Sequence, residues 1–523
     1  MRYGFVIDNR RCIGCHACTV ACKAEHEVPL GVNRTWVKYI EKGVYPDTRR
    51  LFTVTRCNHC ADAPCVEICP VTALFTRTDG IVDFDNRRCI GCKACMQACP
   101  YDALYIDPRT HTSAKCNYCA HRTERGLEPA CVIVCPVQAI VSGDMDQAGS
   151  RIAQLLARQV VTVRKPEKNT RPKLFYINGD QAALSPEQAP PRADYLWAEQ
   201  SAGVGHHAAG AALKRAGVPG DPAKLLALAG QEAQETPGAA RRTYDAPAKG
   251  VLWGWEVTAY LWTKSIAAGV LFLPLALNLL GLMPLRPRLE KGMGLAALLF
   301  LALTGALLVK DLDRPDRFLN VLLRPQWRSW LVRGAYIITA FGGLTTLWLA
   351  ALFLGVPTGD PLRGLLAILG VLAAVYTAFL FAQAKGRDLW QSPLLPLHML
   401  TASAMTGASA ALLLALVGGL GVEGAAAAAL QAAILIHLAL LLIEFTLPHV
   451  SHDTHAALAM ILRGPLRVPF WSAVLLGNVV PLALLAAFPG NGLAVLPATV
   501  LVLTFALVTE HVWVRAPQLV PLR

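Results

Sequence analysis

Cys89-Ile90-Gly91-Cys92-Lys93-Ala94-Cys95-Met96-Gln97-Ala98-Cys99-Pro100 decides how the first part of this sequence is built. Its spacing is Cys-x2-Cys-x2-Cys-x3-Cys-Pro. Three thiols this close wrap three corners of one cubane, and the fourth, a helical turn further on, reaches a neighbouring cluster. Three more groups surround it: Cys12-x2-Cys15-x2-Cys18-x3-Cys22, Cys57-x2-Cys60-x4-Cys65-x3-Cys69-Pro70, and Cys116-x2-Cys119-x11-Cys131-x3-Cys135-Pro136. Sixteen thiols in four groups of four match four [4Fe–4S] clusters with nothing left over. They would also fill four closed zinc sites, but the crowding of three thiols and the trailing Cys-Pro favour iron–sulfur.

All 16 cysteines precede residue 136 of the 523, which is not the pattern of a short secreted disulfide scaffold. Hydrophobic residues make up 54% and charged residues only 16%, against about 25% charged in soluble domains. The deficit falls after residue 250, in repeated apolar runs. The net charge of +13 suggests nucleic acid at first sight. Residues 1–180, however, hold 25 Lys/Arg and 18 Asp/Glu, and four thiolate-held clusters of roughly −2 each bring that part near neutrality. The rest of the excess lies in loops between apolar runs, so nucleic-acid binding is not expected. The start, Met1-Arg2-Tyr3-Gly4-Phe5-Val6-Ile7-Asp8, reads as no secretory or twin-Arg leader.

The reading divides the chain into an iron–sulfur head over 1–182, a flexible linker over 183–250 and a membrane domain over 251–523. In the head, Phe5-Val6-Ile7-Asp8 and Ile81-Val82-Asp83-Phe84 predict short strands. They lead into the related phrases Asp8-Asn9-Arg10-Arg11-Cys12-Ile13-Gly14-Cys15 and Asp85-Asn86-Arg87-Arg88-Cys89-Ile90-Gly91-Cys92, an internal repeat. The linker is rich in Ala, Gly, Pro and Gln; a short helix is expected near 225–228, and His206 and His207 read as solvated. Eight membrane spans are predicted, at 257–282, 292–310, 334–356, 364–384, 394–417, 425–447, 468–488 and 492–514. An even number returns the chain to the head's side of the bilayer. That side carries twelve Lys/Arg (Lys310, Arg314, Arg317, Arg324, Arg328, Arg333, Lys385, Arg387, Arg463, Arg467, Arg515, Arg523), against four opposite (Arg286, Arg288, Lys291, Arg363). The head is therefore expected in the cytoplasm of a prokaryote, at its inner membrane, with a periplasmic head as the alternative.

On these motifs, residues 1–180 resemble the four-cluster electron-transfer subunit of polysulfide, dimethyl sulfoxide and formate oxidoreductases. The membrane half is similar to the NrfD/polysulfide reductase anchor family through Trp253-Gly254-Trp255-Glu256 and Tyr260, Lys310-Asp311-Leu312-Asp313-Arg314-Pro315-Asp316-Arg317-Phe318, Arg333-Gly334-Ala335-Tyr336, and Arg463-Gly464-Pro465 with Phe470-Trp471. The expected fold is an α+β ferredoxin-like head plus an all-α eight-span bundle. The first resemblance implies that Cys135 completes the cluster of Cys12, Cys15 and Cys18, and Cys22 that of Cys116, Cys119 and Cys131. It likewise implies Cys99 with Cys57, Cys60 and Cys65, and Cys69 with Cys89, Cys92 and Cys95. The second implies a quinone (menaquinone or ubiquinone) bound on the head-facing side, and no haem. Fusion of two normally separate chains is a departure that fixes their stoichiometry.

Ionisable side chains within spans are costly and mark pathways. Tyr260, Lys264 and Tyr376 are the quinone-site candidates, with Glu256 and Asp311 for a proton path. Lys264 snorkelling to the interface and Tyr376 as an interfacial anchor are the plain alternatives. His437 and Glu444, seven apart, share a helix face; His398 lies near the start of span five, and His449, His452 and His455 in the loop after span six. The expected function is electron transfer between a separate molybdopterin-type catalytic subunit and the quinone pool of the bilayer. Alternatives are the electron-transfer module of a quinone-reactive hydrogenase, and a proton-translocating module using His437 and Glu444.

Overall fold

A computed structural model describes residues 1–189, 240–246, 249–419, 423–489 and 491–522. It separates the chain into two units: Met1–Val66 with Ala73–Gly250 and Pro521–Arg523, and Glu67–Thr72 with Val251–Val520.

The first unit is α+β. In chain order its strands are β1 (Tyr3–Asp8), β2 (Thr35–Val44), β3 (Asp47–Arg56), β4 (Leu74–Thr76), β5 (Val82–Phe84), β6 (Tyr105–Asp107), β7 (Thr112–Ala114), β8 (Ile140–Asp144), β9 (Val161–Thr162), β10 (Leu174–Ile177) and β11 (Arg241–Tyr244). Phe5, Val6 and Ile7 are buried on both faces of β1, which suits a strand in mid-sheet. β1 runs parallel to β10 and antiparallel to β8, giving the order β8-β1-β10-β9. β2 and β3 form a long hairpin, and β4-β5 and β6-β7 are two small ribbons.

The internal repeat is present in the backbone. β1 leads into Cys12 and β5 into Cys89. Beyond them Gly14 and Gly91 both have φ +71°, and His16 and Lys93 both have φ +59°. A side chain at Gly14 would strike the Phe52 ring, 2.4 Å from the new Cβ, so glycine serves there on both conformational and steric grounds.

The described ends of the expected linker belong to this unit's fold. Gln181–Leu184 is a helical turn with Ala182, Ala183 and Leu184 buried. β11 pairs antiparallel with β2, held by Trp36 Nε1 donating to Asp245 Oδ1 at 2.9 Å and a buried Arg242–Asp245 pair at 2.8 Å. Arg241-Arg242-Thr243-Tyr244 lacks the apolar alternation that signals a strand, because polar pairs anchor it. The histidines His206 and His207 and the helix expected at 225–228 lie outside the described residues.

The second unit is helical, with eight helices among the described residues long and apolar enough to cross a membrane. They are Trp255–Leu279, Pro287–Lys310, Trp330–Leu354, Asp360–Gln383, Leu395–Gly418, Glu423–Thr446, Arg467–Ala487 and Gly492–Leu519. Each covers a predicted span with ends a few residues displaced. Leu252 N and Trp253 N both donate to Gln518 Oε1 at 3.0 Å, so the start of span one and the end of span eight share one end of the bundle. Spans one and five cross closely: a Cβ on Gly269 would lie 1.8 Å from the Ser403 carbonyl oxygen, as small-residue crossings in membranes do. The stretch after span six, expected as a surface loop, carries a helix over His452–Leu462 that buries Ala457, Leu458 and Ile461. Span seven contains a π-helical turn, Leu475–Val479. Pro481, just after it, has no N–H to continue the α-helical ladder.

Candidate functional site

In the head, the segments that follow β1, β3, β5 and β7 open the four cysteine groups, and short helices carry Cys18 and Cys22, Cys65, Cys95 and Cys131. Twelve of the sixteen are buried; Cys12, Cys92 and Cys135 are half-buried and Cys15 is exposed, and none of the sixteen is in a disulfide. Cys12, Cys15, Cys18 and Cys135 line one cavity, walled by Val37, Val54 and Ile140. Burial raises the Cys18 thiol to about 11. It also raises Cys22, whose other neighbours include the sulfurs of Cys116, Cys131 and Cys119. Cys65 is raised by burial and then by Cys99, Cys57 and Cys60. The first set that the resemblance implies shares a cavity, and the neighbours of Cys22 and Cys65 include their implied partners, while Cys18 also neighbours Cys131, and Cys116 neighbours Cys57. Four sulfurs gathered at one site, three of them from one closely spaced group, are the donor set that a [4Fe–4S] cubane takes, so these cysteines fit iron–sulfur clusters.

Polar hydrogens also point at the sulfurs. His59 N donates to Cys57 Sγ at 3.4 Å, Ala139 N to Cys135 Sγ at 3.3 Å, and Ser113 N to Cys89 Sγ at 3.4 Å. His26 Nε2 lies 3.1 Å from Cys119 Sγ, and Arg56 Nη1 donates to Cys131 Sγ at 3.0 Å. When bound, clusters of this type supply one-electron transfer, and such donors tune their potentials.

In the membrane unit, Tyr260, Lys264 and Tyr376 come together. Lys264 is 1% exposed, so it does not snorkel. Its Nζ donates to the Ala374 carbonyl at 2.8 Å and Thr377 Oγ1 at 2.9 Å, and lies 4.8 Å from the Tyr376 ring centroid. Tyr376 is buried and is not an interfacial anchor. A Cβ on Gly334 would lie 2.1 Å from its ring, which explains the glycine in Arg333-Gly334-Ala335-Tyr336. Tyr260 is buried within electrostatic range of Tyr376, Asp311 and Glu510, and Glu510 also acts on Lys264. Counting from helix ends at 1.5 Å per residue, these side chains lie ~7–14 Å inside the end where the chain enters.

Glu256 and Asp311 are half-buried near that end; Glu256 Oε1 lies 4.0 Å from Lys310 Nζ. Lys310 also lies 4.1 Å from the Trp255 ring centroid, while Trp253 stacks against both Phe381 and Trp390. The two tryptophans of Trp253-Gly254-Trp255 therefore differ in role. Glu510 is the member of this group that the sequence candidates omit; a lone acid within an apolar span is the signal that marks it, as it marks Lys264.

A second polar group lies among spans five to seven. His398 Nε2 is 3.8 Å from Glu444 Oε2, and the His398 and His437 rings meet edge to face at 6.2 Å. Ser392 Oγ donates to Glu444 Oε2 at 2.8 Å, and His437 Nδ1 lies 2.9 Å from Asn478 Oδ1 on the π-helical turn. His449 Nε2 reaches the Glu444 carbonyl and His455 Nε2 the His449 carbonyl, both at 2.8 Å. All three main members, His398, His437 and Glu444, are buried.

A head of thiol sets joined to a bundle of eight apolar helices defines an iron–sulfur electron-transfer protein carrying its own multi-pass membrane anchor. Residues 245–520 match the family described as polysulphide reductase, NrfD, and residues 48–145 and 11–74 match 4Fe-4S dicluster domains. This protein is a member of the NrfD polysulphide reductase family, with a 4Fe-4S dicluster head. The head is 46% identical to a tetrathionate reductase subunit of Salmonella typhimurium over 189 residues, 35% of this chain and 76% of that one. It is 42% identical to a polysulfide reductase chain of Wolinella succinogenes over 188 residues, 35% and 97% of the two sequences. With the arsenate respiratory reductase iron-sulfur subunit ArrB of a Shewanella species it shares 34% over 227 residues, 34% and 96%.

Proposed function

We propose that this chain carries electrons through four [4Fe–4S] clusters between a molybdopterin-type catalytic subunit and a membrane quinone. The observation that carries the quinone end is the buried Lys264 ammonium, hydrogen-bonded at 2.8 and 2.9 Å beside the Tyr376 ring. A charge kept in a membrane interior needs a function. In this reading Lys264, Tyr376 and Tyr260 bind and orient the quinone oxygens, and Glu256 and Asp311 pass protons at the mouth. The sixteen cysteines hold the clusters, with Cys69 completing the set of Cys89, Cys92 and Cys95. The head takes in 1–182 together with the rest of the Gln181–Leu184 turn and the β11 segment, the linker is confined within 183–250, and 251–523 is the quinone domain.

The partner reading is supported by relatives named as components of tetrathionate, polysulfide and arsenate reductases. The charge asymmetry of the loops supports an inner-membrane location with a cytoplasmic head. Purification of the native complex in mild detergent, with metal analysis and subunit identification, tests the proposal. Molybdenum or tungsten with a large pterin subunit is expected. Nickel would move the chain to a hydrogenase, and iron alone with no large partner would refute the catalytic-partner reading.

The buried His398–Glu444–His437 group favours a second reading, in which electron flow also drives proton movement. Proton uptake by liposomes containing the complex tests it. Unchanged coupling after Glu444→Gln with His437→Gln rejects it.

A further inference from the structure

Arg56, the last residue of β3, is buried at 1% exposure. Its Nη1 donates to Cys131 Sγ at 3.0 Å and its guanidinium carbon lies 4.6 Å from the Phe5 ring centroid. Nε and Nη2 have no hydrogen-bond partner among the described residues, and no carboxylate forms an ion pair with Arg56 there. Burying a cation without an acid is strongly unfavourable. The counter-charge therefore has to come from the sulfurs. Burial alone would lower the guanidinium's affinity for its proton, but Cys131, Cys116 and Cys18 outweigh that and raise it. A guanidinium keeps its charge in proteins in any case.

The strand geometry places this charge between two sets of ligands. Arg56 turns toward Cys131, Cys116 and Cys18, while Cys57, the next residue, opens the Cys57–Cys69 group. Cys57 and Cys116 are themselves close enough to influence each other. Arg56 thus lies where the two cluster pairs of the proposed assignment approach.

We propose that Arg56 is the resident counter-ion of the clusters held by the Cys12–Cys22 and Cys116–Cys135 groups, and that it raises their reduction potentials, most strongly at the cluster ligated by Cys131. The inference rests on the four-cluster reading. Each cluster takes up one electron from the titrating reductant, and its net charge becomes one unit more negative. A fixed guanidinium stabilises that reduced form without giving up a proton, so the effect does not vary with pH.

The experiment is an EPR-monitored redox titration of the full purified chain, after iron analysis, for the native protein, Arg56→Lys and Arg56→Gln. Arg56→Gln should lower the one-electron reduction equilibrium of one resolved cluster at least tenfold, about 59 mV, at every pH tried. Arg56→Lys keeps the charge and should stay within threefold of native. Unchanged potentials in an iron-complete Arg56→Gln protein would assign Arg56 to packing alone. Equal shifts in both variants would show that charge is not the cause. If Arg56→Gln loses iron, native protein labelled with 15N-arginine decides: a reduced cluster should show hyperfine coupling to guanidinium nitrogen, and its absence overturns the proposal. Zinc in place of iron in the native chain would overturn the four-cluster reading itself, and this inference with it.

Discussion

Replacing Lys264 by Met separates a structural lysine from a functional one. The ammonium makes two hydrogen bonds, at 2.8 and 2.9 Å, and a cation–π contact at 4.8 Å. Hydrogen bonds to charged groups contribute about 1.5–3 kcal/mol each, and a desolvated cation–π contact about 2 kcal/mol. Against these stands the several kcal/mol needed to desolvate an ammonium. The two sides nearly cancel, but the variant also leaves Glu510 buried without the cation that acts on it, which costs about 3–5 kcal/mol while the acid stays charged, so Lys264→Met should lower the thermal midpoint by several degrees. Loss of a donor aimed at developing charge on a quinone oxygen costs about 2.7–4 kcal/mol in the barrier, a factor of ~100–1000. Stopped-flow reduction of the clusters by a soluble quinol should slow by that factor, while reduction by dithionite is unaffected. Quinol-driven reduction within threefold of native would refute the assignment. So would a loss that merely tracks the loss of folded protein.

Gly334→Ala sets a methyl group against the Tyr376 ring; overpacking of this kind costs about 1–3 kcal/mol, and the quinol KM should rise more than the cluster content falls. Paired cysteine variants test the cluster assignments: Cys22→Ala and Cys131→Ala should remove the same EPR signal, and Cys12→Ala and Cys135→Ala a different one. Glu41 binds Arg50 and Arg241, and its carboxyl lies below the usual range through its hydrogen bond to Arg50, against burial, with Arg241 adding to the effect. Because the folded value is depressed, the stabilisation is complete above about pH 4.3 and is lost as pH falls through the folded value. Both arginines are more than half exposed, so screening keeps the contribution below about 1 kcal/mol. Glu41→Gln should therefore expose β11 to limited proteolysis at pH 7 with little change in the thermal midpoint.

Features with a strong local signature were legible in the sequence. Cysteine spacing marks the metal ligands because a cubane demands thiols at short separations, and a bilayer demands about twenty apolar residues per span. The repeat of Asp8–Cys15 in Asp85–Cys92 reappears as matched positive φ angles at Gly14 and Gly91. The strand β11 was not legible, since its place depends on Trp36 and Glu41, which lie 209 and 200 residues before the Asp245 and Arg241 they hold. Arg56 escapes a sequence reading for a related reason: its partner Cys131 is 75 residues away, and one arginine among many in a basic chain carries no local signal. The joining of Lys264 with Tyr376 likewise depends on how spans one and four pack. Gly334 can be noticed as part of a phrase, but its purpose emerges only once the Tyr376 ring is seen against it.

The most direct test of the central claim is anaerobic addition of a soluble quinol to the purified, iron-complete chain, with cluster reduction followed by EPR. About four clusters per chain, reduced by quinol in the native protein and ~100–1000-fold more slowly in Lys264→Met, is the predicted result. Clusters that dithionite reduces but quinol leaves oxidised, at quinol potentials below those of the clusters, would contradict it.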